Sequence, residues 1–372
     1  MGKVYLISGA AGRLGSRVVR VLCENNIDDV EKVKLVDLRF SKTTRDEQEE
    51  YCKGAGITAE WIENDVTDYE AMASAVNQVN VVIHTAAIVD YTGEVPDSKL
   101  WDTNVRGTEV VLKACLDQNV EFFVYTSSID AVGPNWDMDS FVNGNEDTPY
   151  KFNPPIYYAT TKNAAEKRVV AANGRPLENG KKFFSCALRP GGIYGENDPV
   201  LEAIVSRLGK SKAIRSVCEP TALKERPYLG NVAWGHIVAA KKIQEKPDLI
   251  GGNAYFIGDD TPKLSYSRLN LLFCEHLGYT LAKPEPYFSI WKLYLIAYIN
   301  VFASKFMSWF GIKIKVIVNP AVIRISNTNF TTSYEKLRKH IGYKPLYSWE
   351  QSLAVAKKDM ERIVEPTFTK ES

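Results

Sequence analysis

The sequence carries no excess of charge of either sign: 46 Lys and Arg stand against 45 Asp and Glu, for a net charge of +1 over 372 residues. Neutralising a phosphate backbone requires a basic surplus, so the balance argues against a nucleic-acid partner. The six cysteines, at 23, 52, 115, 186, 218 and 274, include no C-x-x-C pair and no zinc-finger spacing. A chain of this length needs no disulfide staples, so a reduced, cytosol-facing setting with no metal is expected. No internal repeat or low-complexity stretch occurs. No basic n-region followed by a long apolar run precedes the first strand pattern, MGKVYLISGAAG, so no cleaved signal peptide is expected. What is present, 45% hydrophobic and 11% aromatic residues, suffices for the core of one or two domains. A small ligand of little or no charge is favoured.

The first half alternates short β-branched runs with helical patterns, the signature of a parallel sheet with crossover helices. Strands are predicted at 4–8, 32–37, 59–63, 79–84, 121–126 and 183–188, and helices at 14–25, 68–76, 100–118 and 156–173. The expected fold class is α/β: a Rossmann-type doubly wound parallel sheet with a smaller, irregular C-terminal substrate cap. Ligands of such sheets bind beyond the carboxyl ends of the strands.

Gly9, Gly12 and Gly15 in SGAAGRLG follow the apolar strand VYLIS, and Arg13 and Leu14 open the next helix. Glycines at this spacing allow a tight turn and bring a pyrophosphate against backbone N–H groups at the positive end of that helix. Asp37 ends the second strand about 20 residues later, where a carboxylate accepts hydrogen bonds from the adenosine ribose and repels a 2′-phosphate. NAD is therefore expected over NADP. Asp65 and the Val66 amide are candidates for addressing the adenine, whereas Asp68 reads as an N-cap. Thr85, Ala86 and Ala87 end the fourth strand, where small side chains leave room for the nicotinamide ribose. His84 reads as structural rather than as a catalytic base.

Tyr158 and Lys162 form a Y-x-x-x-K pair on one face of a helix. A nearby ammonium favours the phenolate, so the phenol is expected to be lowered from ~10 and to act as general base. Tyr157 lies off that face. The preceding strand ends in Tyr125-Thr126-Ser127-Ser128, which offers a hydroxyl to the same cleft.

Taken in order, SGAAGRLG, DVTD, HTAA, NVRGT, YTSSID, Y-x-x-x-K and LRPGGIYG resemble an extended short-chain dehydrogenase/reductase. VIHTAAIVDYTG, VYTSSIDAVGPN and RPYLGNVAWGHIVAA resemble, more narrowly, the 3β-hydroxysteroid dehydrogenase/Δ5-Δ4 isomerase family. The resemblance implies that Tyr158 is the acid/base and that Lys162 lowers its pKa while holding the nicotinamide ribose. It also implies that Ser128, with Ser127 as runner-up, binds the substrate oxygen, that Asn104 supports a relay water or the helix geometry, and that Pro190 abuts the nicotinamide. Dehydratase relatives usually carry an acidic pair directly after the hydroxyl. Ile129-Asp130 stands there instead, which favours simple redox chemistry. Asp259-Asp260 resembles the segment linked to isomerisation, although adjacent acids before Thr-Pro also suit a turn. Thr160 departs from relatives that carry an aromatic or imidazole there. The competing readings are a sterol-4-carboxylate dehydrogenase or an epimerase and, in another class, a non-catalytic NAD-sensing scaffold.

The stretch 291–310, WKLYLIAYINVFASKFMSWF, is uninterruptedly apolar only over 293–299, well short of the ~20 residues that span a bilayer. On a helix Tyr294, Tyr298, Phe302, Phe306 and Phe310 form one stripe, opposite Asn300, Ser304 and Ser308. Such a helix suits a membrane interface. The expected division is 1–190 for the NAD-binding domain and 191–372 for the cap, with membrane attachment at about 287–318; residues 312–318 read as a strand or as further attachment. The resemblance points to an endoplasmic reticulum or mitochondrial membrane with the catalytic domain facing the cytosol, a sterol or steroid substrate, and a chain able to form a homodimer.

Overall fold

The computed structural model describes residues 2–208, 211–312 and 319–369. The reading of 312–318 therefore falls, apart from Ile312, outside the described residues. Strands β1 (Lys3–Ser8), β2 (Val30–Asp37), β3 (Thr58–Glu63), β4 (Val81–His84), β5 (Phe122–Thr126), β6 (Phe184–Pro190) and β7 (Ala254–Ile257) form one parallel sheet, ordered β3-β2-β1-β4-β5-β6-β7. The helices that position the site are α1 (Arg13–Glu24), α2 (Lys42–Gly54), α3 (Tyr69–Ala75), α4 (Gly107–Asp117), α5 (Tyr157–Ala172), α6 (Leu229–Glu245), α7 (Ile290–Ser308) and α8 (Pro320–Asn327).

Alternation along the strands builds two cores. Tyr5, Ile7, Val33, Leu35 and Ile83 face α1 and α6, while Leu6, Val36, Val82 and Phe123 face α3, α4 and α5. Each fully buried aliphatic side chain contributes about 1.5–3 kcal/mol relative to exposure, which holds the helices to both faces. A third cluster, around Tyr194, Tyr228, Leu269 and Phe273, forms the core of the C-terminal part.

Three departures from the sequence reading have physical causes. First, β7 and α6 lie beyond residue 190, in the stretch given to the cap, yet β7 pairs with β6 and α6 packs on α1. Ala233, Ala239 and Ala240 on α6 let it approach the sheet closely. Second, α2 is KTTRDEQEEYCKG, with only Gln48 and Cys52 buried, and so has no apolar period to read. Third, the helix expected at 100–118 is broken into Asp97–Trp101, a π-turn at Asp102–Arg106, and α4. π-Turns of this kind often mark functional sites.

Helix α7 packs on α8 through Leu293 and Ala297 against Ile323. Its outer face leaves Leu295, Tyr298, Ile299 and Phe302 exposed, and Trp309 beyond its end is 85% exposed. Tyr294 departs from the expected stripe. It turns inward, its hydroxyl on the Met138 sulfur at 3.6 Å and its ring 5.4 Å from the Arg324 guanidinium. Among the described residues no helix is long and apolar enough to cross a membrane.

Candidate active site

The turn after β1 is shaped by glycine. Gly9 has φ +71°, and a Cβ there would lie 2.7 Å from the Ala86 backbone nitrogen. A Cβ on Gly15 would sit 2.0 Å from the Gly9 carbonyl oxygen, so only glycine lets α1 start this close to β1. Gly12 caps α1 without any side-chain hydrogen bond, leaving the first helical N–H groups open. The Asp37 carboxylate closes the turn, accepting from Ala11 N at 2.9 Å and Leu38 N at 2.7 Å.

Arg13 reaches across to the C-terminal part, donating to the carbonyls of Glu196 at 2.8 Å and Ile193 at 3.1 Å. Its Nη2 is buried and, among the described residues, has no hydrogen-bond partner, lying 3.9 Å from Asp198. An open helix N-terminus, a glycine-lined turn and an orphaned guanidinium nitrogen fit an anionic dinucleotide. Leu14 packs between the two parts. Asp65 holds the Thr67 amide and hydroxyl at 3.0 and 2.9 Å, while Val66 is buried against Gly107. Asp68 caps α3 through Ala71 N, as expected. Thr85 donates back to the Ser8 carbonyl at 2.7 Å, and Ala86 and Ala87 are half-buried beside the glycine turn. Pro190 is buried at the end of β6.

The catalytic candidates converge where β5 meets α5. Tyr158 is buried on the inner face of α5, whereas Tyr157 is 36% exposed. Lys162 donates to the Thr126 carbonyl at 2.8 Å and lies 3.3 Å from the Tyr125 hydroxyl. Ser127 turns away, donating to Glu166 at 2.7 Å beside the Arg189–Glu166 ion pair, and so leaves Ser128 to the cleft. Asn104, in the π-turn, bonds both the amide and the carbonyl of Ile88 and donates to the Thr161 hydroxyl at 3.0 Å. It ties the loop after β4 to α5. His84 is buried between Ser8 and Thr108, its pKa pushed down to about 3 by burial and by Lys162, and is structural as expected.

The electrostatics differ from expectation. Burial and the Asp130 carboxylate push the Tyr158 phenol well up rather than down, with Ser128 pulling the other way. Lys162 is itself desolvated and brought down to about 7, and its amine is turned onto Thr126.

Asp259 does not face the cleft chemistry. Its Oδ2 accepts from Tyr228 N at 2.8 Å and Asn231 Nδ2 at 2.9 Å, and its Oδ1 from Thr261 N at 3.0 Å. It is a capping residue, and Asp260 is exposed beside Tyr334. Sequence reasoning missed two site residues. Asp130 accepts from Ser128 Oγ at 2.9 Å and from Tyr91 Oη at 2.5 Å, and the Tyr91 ring lies 5.7 Å from that of Tyr158. Their signal was present, in YTSSID and IVDYTG, but only the fold brings the two segments together.

A doubly wound sheet with a glycine turn after β1 and Ser128, Tyr158 and Lys162 at β5 and α5 defines an extended short-chain dehydrogenase/reductase. The family described as 3-beta hydroxysteroid dehydrogenase/isomerase matches residues 6–287. The 3 beta-hydroxysteroid dehydrogenases type 7 of Mus musculus and Homo sapiens are each 36% identical over 356 residues, covering 94% of this chain and 93% of the relative. A dTDP-glucose 4,6-dehydratase of Streptomyces venezuelae, solved with NAD bound, shares the fold with a TM-score of 0.69 at 18% identity, covering 96% of this chain and 97% of that one. The chain belongs to the 3-beta hydroxysteroid dehydrogenase/isomerase family.

Proposed function

We propose that this chain oxidises the 3β-hydroxyl of a sterol or steroid to a ketone with NAD as hydride acceptor, follows this with Δ5–Δ4 isomerisation, and works at a membrane surface. The carrying observation is that Tyr158 meets the Ser128 hydroxyl under an apolar roof, where Tyr158, Ile156 and Ala159 pack with Ile325 of α8, while Lys162 on the same helix is tied to Thr126 at the end of β5. When bound, the dinucleotide supplies the hydride acceptor, held by the glycine turn, Arg13, Asp37 and Lys162. Ser128 holds the substrate oxygen, Tyr158 takes its proton, and Lys162 anchors the Tyr158 helix to the end of β5 through Thr126. The family relatives named above support the substrate class, and Asp37 beside the turn supports NAD over its 2′-phosphate. The exposed apolar face of α7, rich in aromatic residues, supports attachment at the interface depth.

Purified protein incubated with NAD or NADP and a panel of 3β-hydroxysterols tests the reading. Reduced cofactor is expected to form with a sterol and NAD. Turnover of a nucleotide sugar with none of any sterol would overturn it.

A further inference from the structure

Two thiols lie in the core on the sheet face opposite α5, outside the catalytic cleft. Cys23, in the last turn of α1, and Cys52, in the last turn of α2, are both buried and bring their sulfurs to 3.6 Å. Among the described residues no other two of the six cysteines share a hydrogen bond. A disulfide holds its sulfurs at about 2.05 Å, so about 1.5 Å separates this pair from bonding distance. Helix α2 is the element able to close that gap. Of its 13 residues only Gln48 and Cys52 are buried, so a small shift disturbs little packing. These two residues are also one turn apart on one helix face. Gln48 Nε2 donates to the Ala10 carbonyl at 2.8 Å, inside the glycine turn, and its Oε1 accepts from Trp61 Nε1 of β3 at 3.0 Å. Whatever moves Cys52 therefore moves the side chain that holds the pyrophosphate turn. The shared hydrogen bond holds the Cys52 thiol below its usual range and, together with burial, pushes the Cys23 thiol up. Cys52 is thus the readier thiolate, and Cys23 keeps its proton.

We propose that Cys23 and Cys52 form a reversible redox site, which a peroxide converts to a disulfide and which thereby weakens dinucleotide binding. The Cys52 thiolate attacks one peroxide oxygen: an S–O bond forms, the O–O bond breaks, and the hydroxide that leaves takes up the proton Cys52 released. The Cys23 sulfur then attacks the sulfenic sulfur of Cys52. An S–S bond forms, the S–O bond breaks, and the departing hydroxide carries away the Cys23 proton. The two thiols together lose two electrons and two protons, and one peroxide becomes two waters. A dithiol reductant restores both thiols by exchange. Closing the gap draws the last turn of α2 toward α1 and shifts Gln48 off the Ala10 carbonyl, so the turn loses the side chain that steadies it from α2. Transient disulfides of this kind are the form in which thiol pairs act as sensors in a reducing compartment.

The test uses the full chain, reduced and then treated with hydrogen peroxide, with two readouts: a peptide map without reductant and titration with NADH followed by fluorescence. The map is expected to join the peptides that carry Cys23 and Cys52. NADH affinity is expected to fall by about fivefold, the effect of losing one hydrogen bond, and to return after dithiothreitol. Cys52→Ser, a near-isosteric change, is expected to bind NADH as the reduced wild type does and to ignore peroxide. Gln48→Ala is expected to bind NADH more weakly from the outset, with no further loss on oxidation. Absence of the 23–52 link in treated wild type, a link that leaves affinity unchanged, or an equal peroxide effect in Cys52→Ser would each overturn the proposal. The peptide map of the wild type decides the first point even if a variant folds poorly. Sterol turnover enters none of these readouts, so the outcome is independent of the substrate reading above.

Discussion

The amine of Lys162 donates to the backbone carbonyl of Thr126 at 2.8 Å, so the helix that carries Tyr158 is tied to the strand whose end presents Ser128. Lys162 on α5 is thereby held at a strand position two residues before Ser128. The arrangement accounts for how a pair four residues apart on a helix acquires a defined distance from a hydroxyl on a neighbouring strand.

Removing the phenol oxygen tests the acid/base directly. Tyr158→Phe keeps the ring against Tyr91 and Ile325 and is expected to lower sterol oxidation by about 10²–10⁴-fold with NADH binding unchanged. Full oxidation by this variant would remove Tyr158 from the mechanism.

The glycine turn makes a steric prediction. Gly15→Ala places a Cβ 2.0 Å from the Gly9 oxygen, which forces α1 away from β1. Dinucleotide affinity, read by fluorescence titration, is expected to fall by at least about tenfold; Gly54→Ala, whose Cβ meets nothing within 4 Å, is expected to leave it unchanged. Equal affinity in both variants would count against the assigned pyrophosphate site.

Attachment to lipid is predicted to reside in side chains that make little internal packing. Phe302 and Trp309 are 71% and 85% exposed, so replacing both with Glu is expected to leave the melting temperature near wild type. Co-sedimentation with phospholipid vesicles is expected to drop several-fold. Undiminished binding by this double variant would refute attachment through α7.

Acid stability follows from two buried imidazoles. Burial pushes His84 down to about 3 and His236 down to about 4, both from 6.5. Above pH 6.5 each is neutral whether folded or unfolded. Below it the unfolded chain takes up protons that the folded chain refuses, so stability falls as pH drops from about 6.5 toward about 4, by up to about 1.4 kcal/mol per unit for each histidine. Urea midpoints are expected to be clearly lower at about pH 5 than at about pH 7, and equal midpoints would show that these histidines are accommodated as cations.

The first six strands and their terminal motifs were legible because each alternates cleanly between two cores, as Tyr5, Leu6 and Ile7 do. Strand β7 was not, because it lies beyond residue 190, where the regular alternation of strand and helix patterns breaks off. α2 carried no apolar period, and α6 was hidden by small residues that pack closely without looking hydrophobic. Within the site, Tyr158, Lys162 and Ser128 are local motifs and could be read in line. Asp130 and Tyr91 are 39 positions apart, and their partnership exists only after β4 and β5 pair. The Tyr158 shift runs opposite to the sequence reading for the same reason: burial and a carboxylate from the adjoining turn push the phenol up, and only the fold brings that turn beside it.

Helix α8 carries Ile323 toward α7 and Ile325 toward Tyr158. Two residues along a helix are rotated by about 200°, so one short rod touches α7 on one side and the Tyr158 ring on the other. A single inserted or deleted residue within it would turn one isoleucine by about 100° off its partner. Length, more than composition, is therefore what this eight-residue helix must preserve, and tolerance to substitution but not to frame-preserving insertion would be its signature.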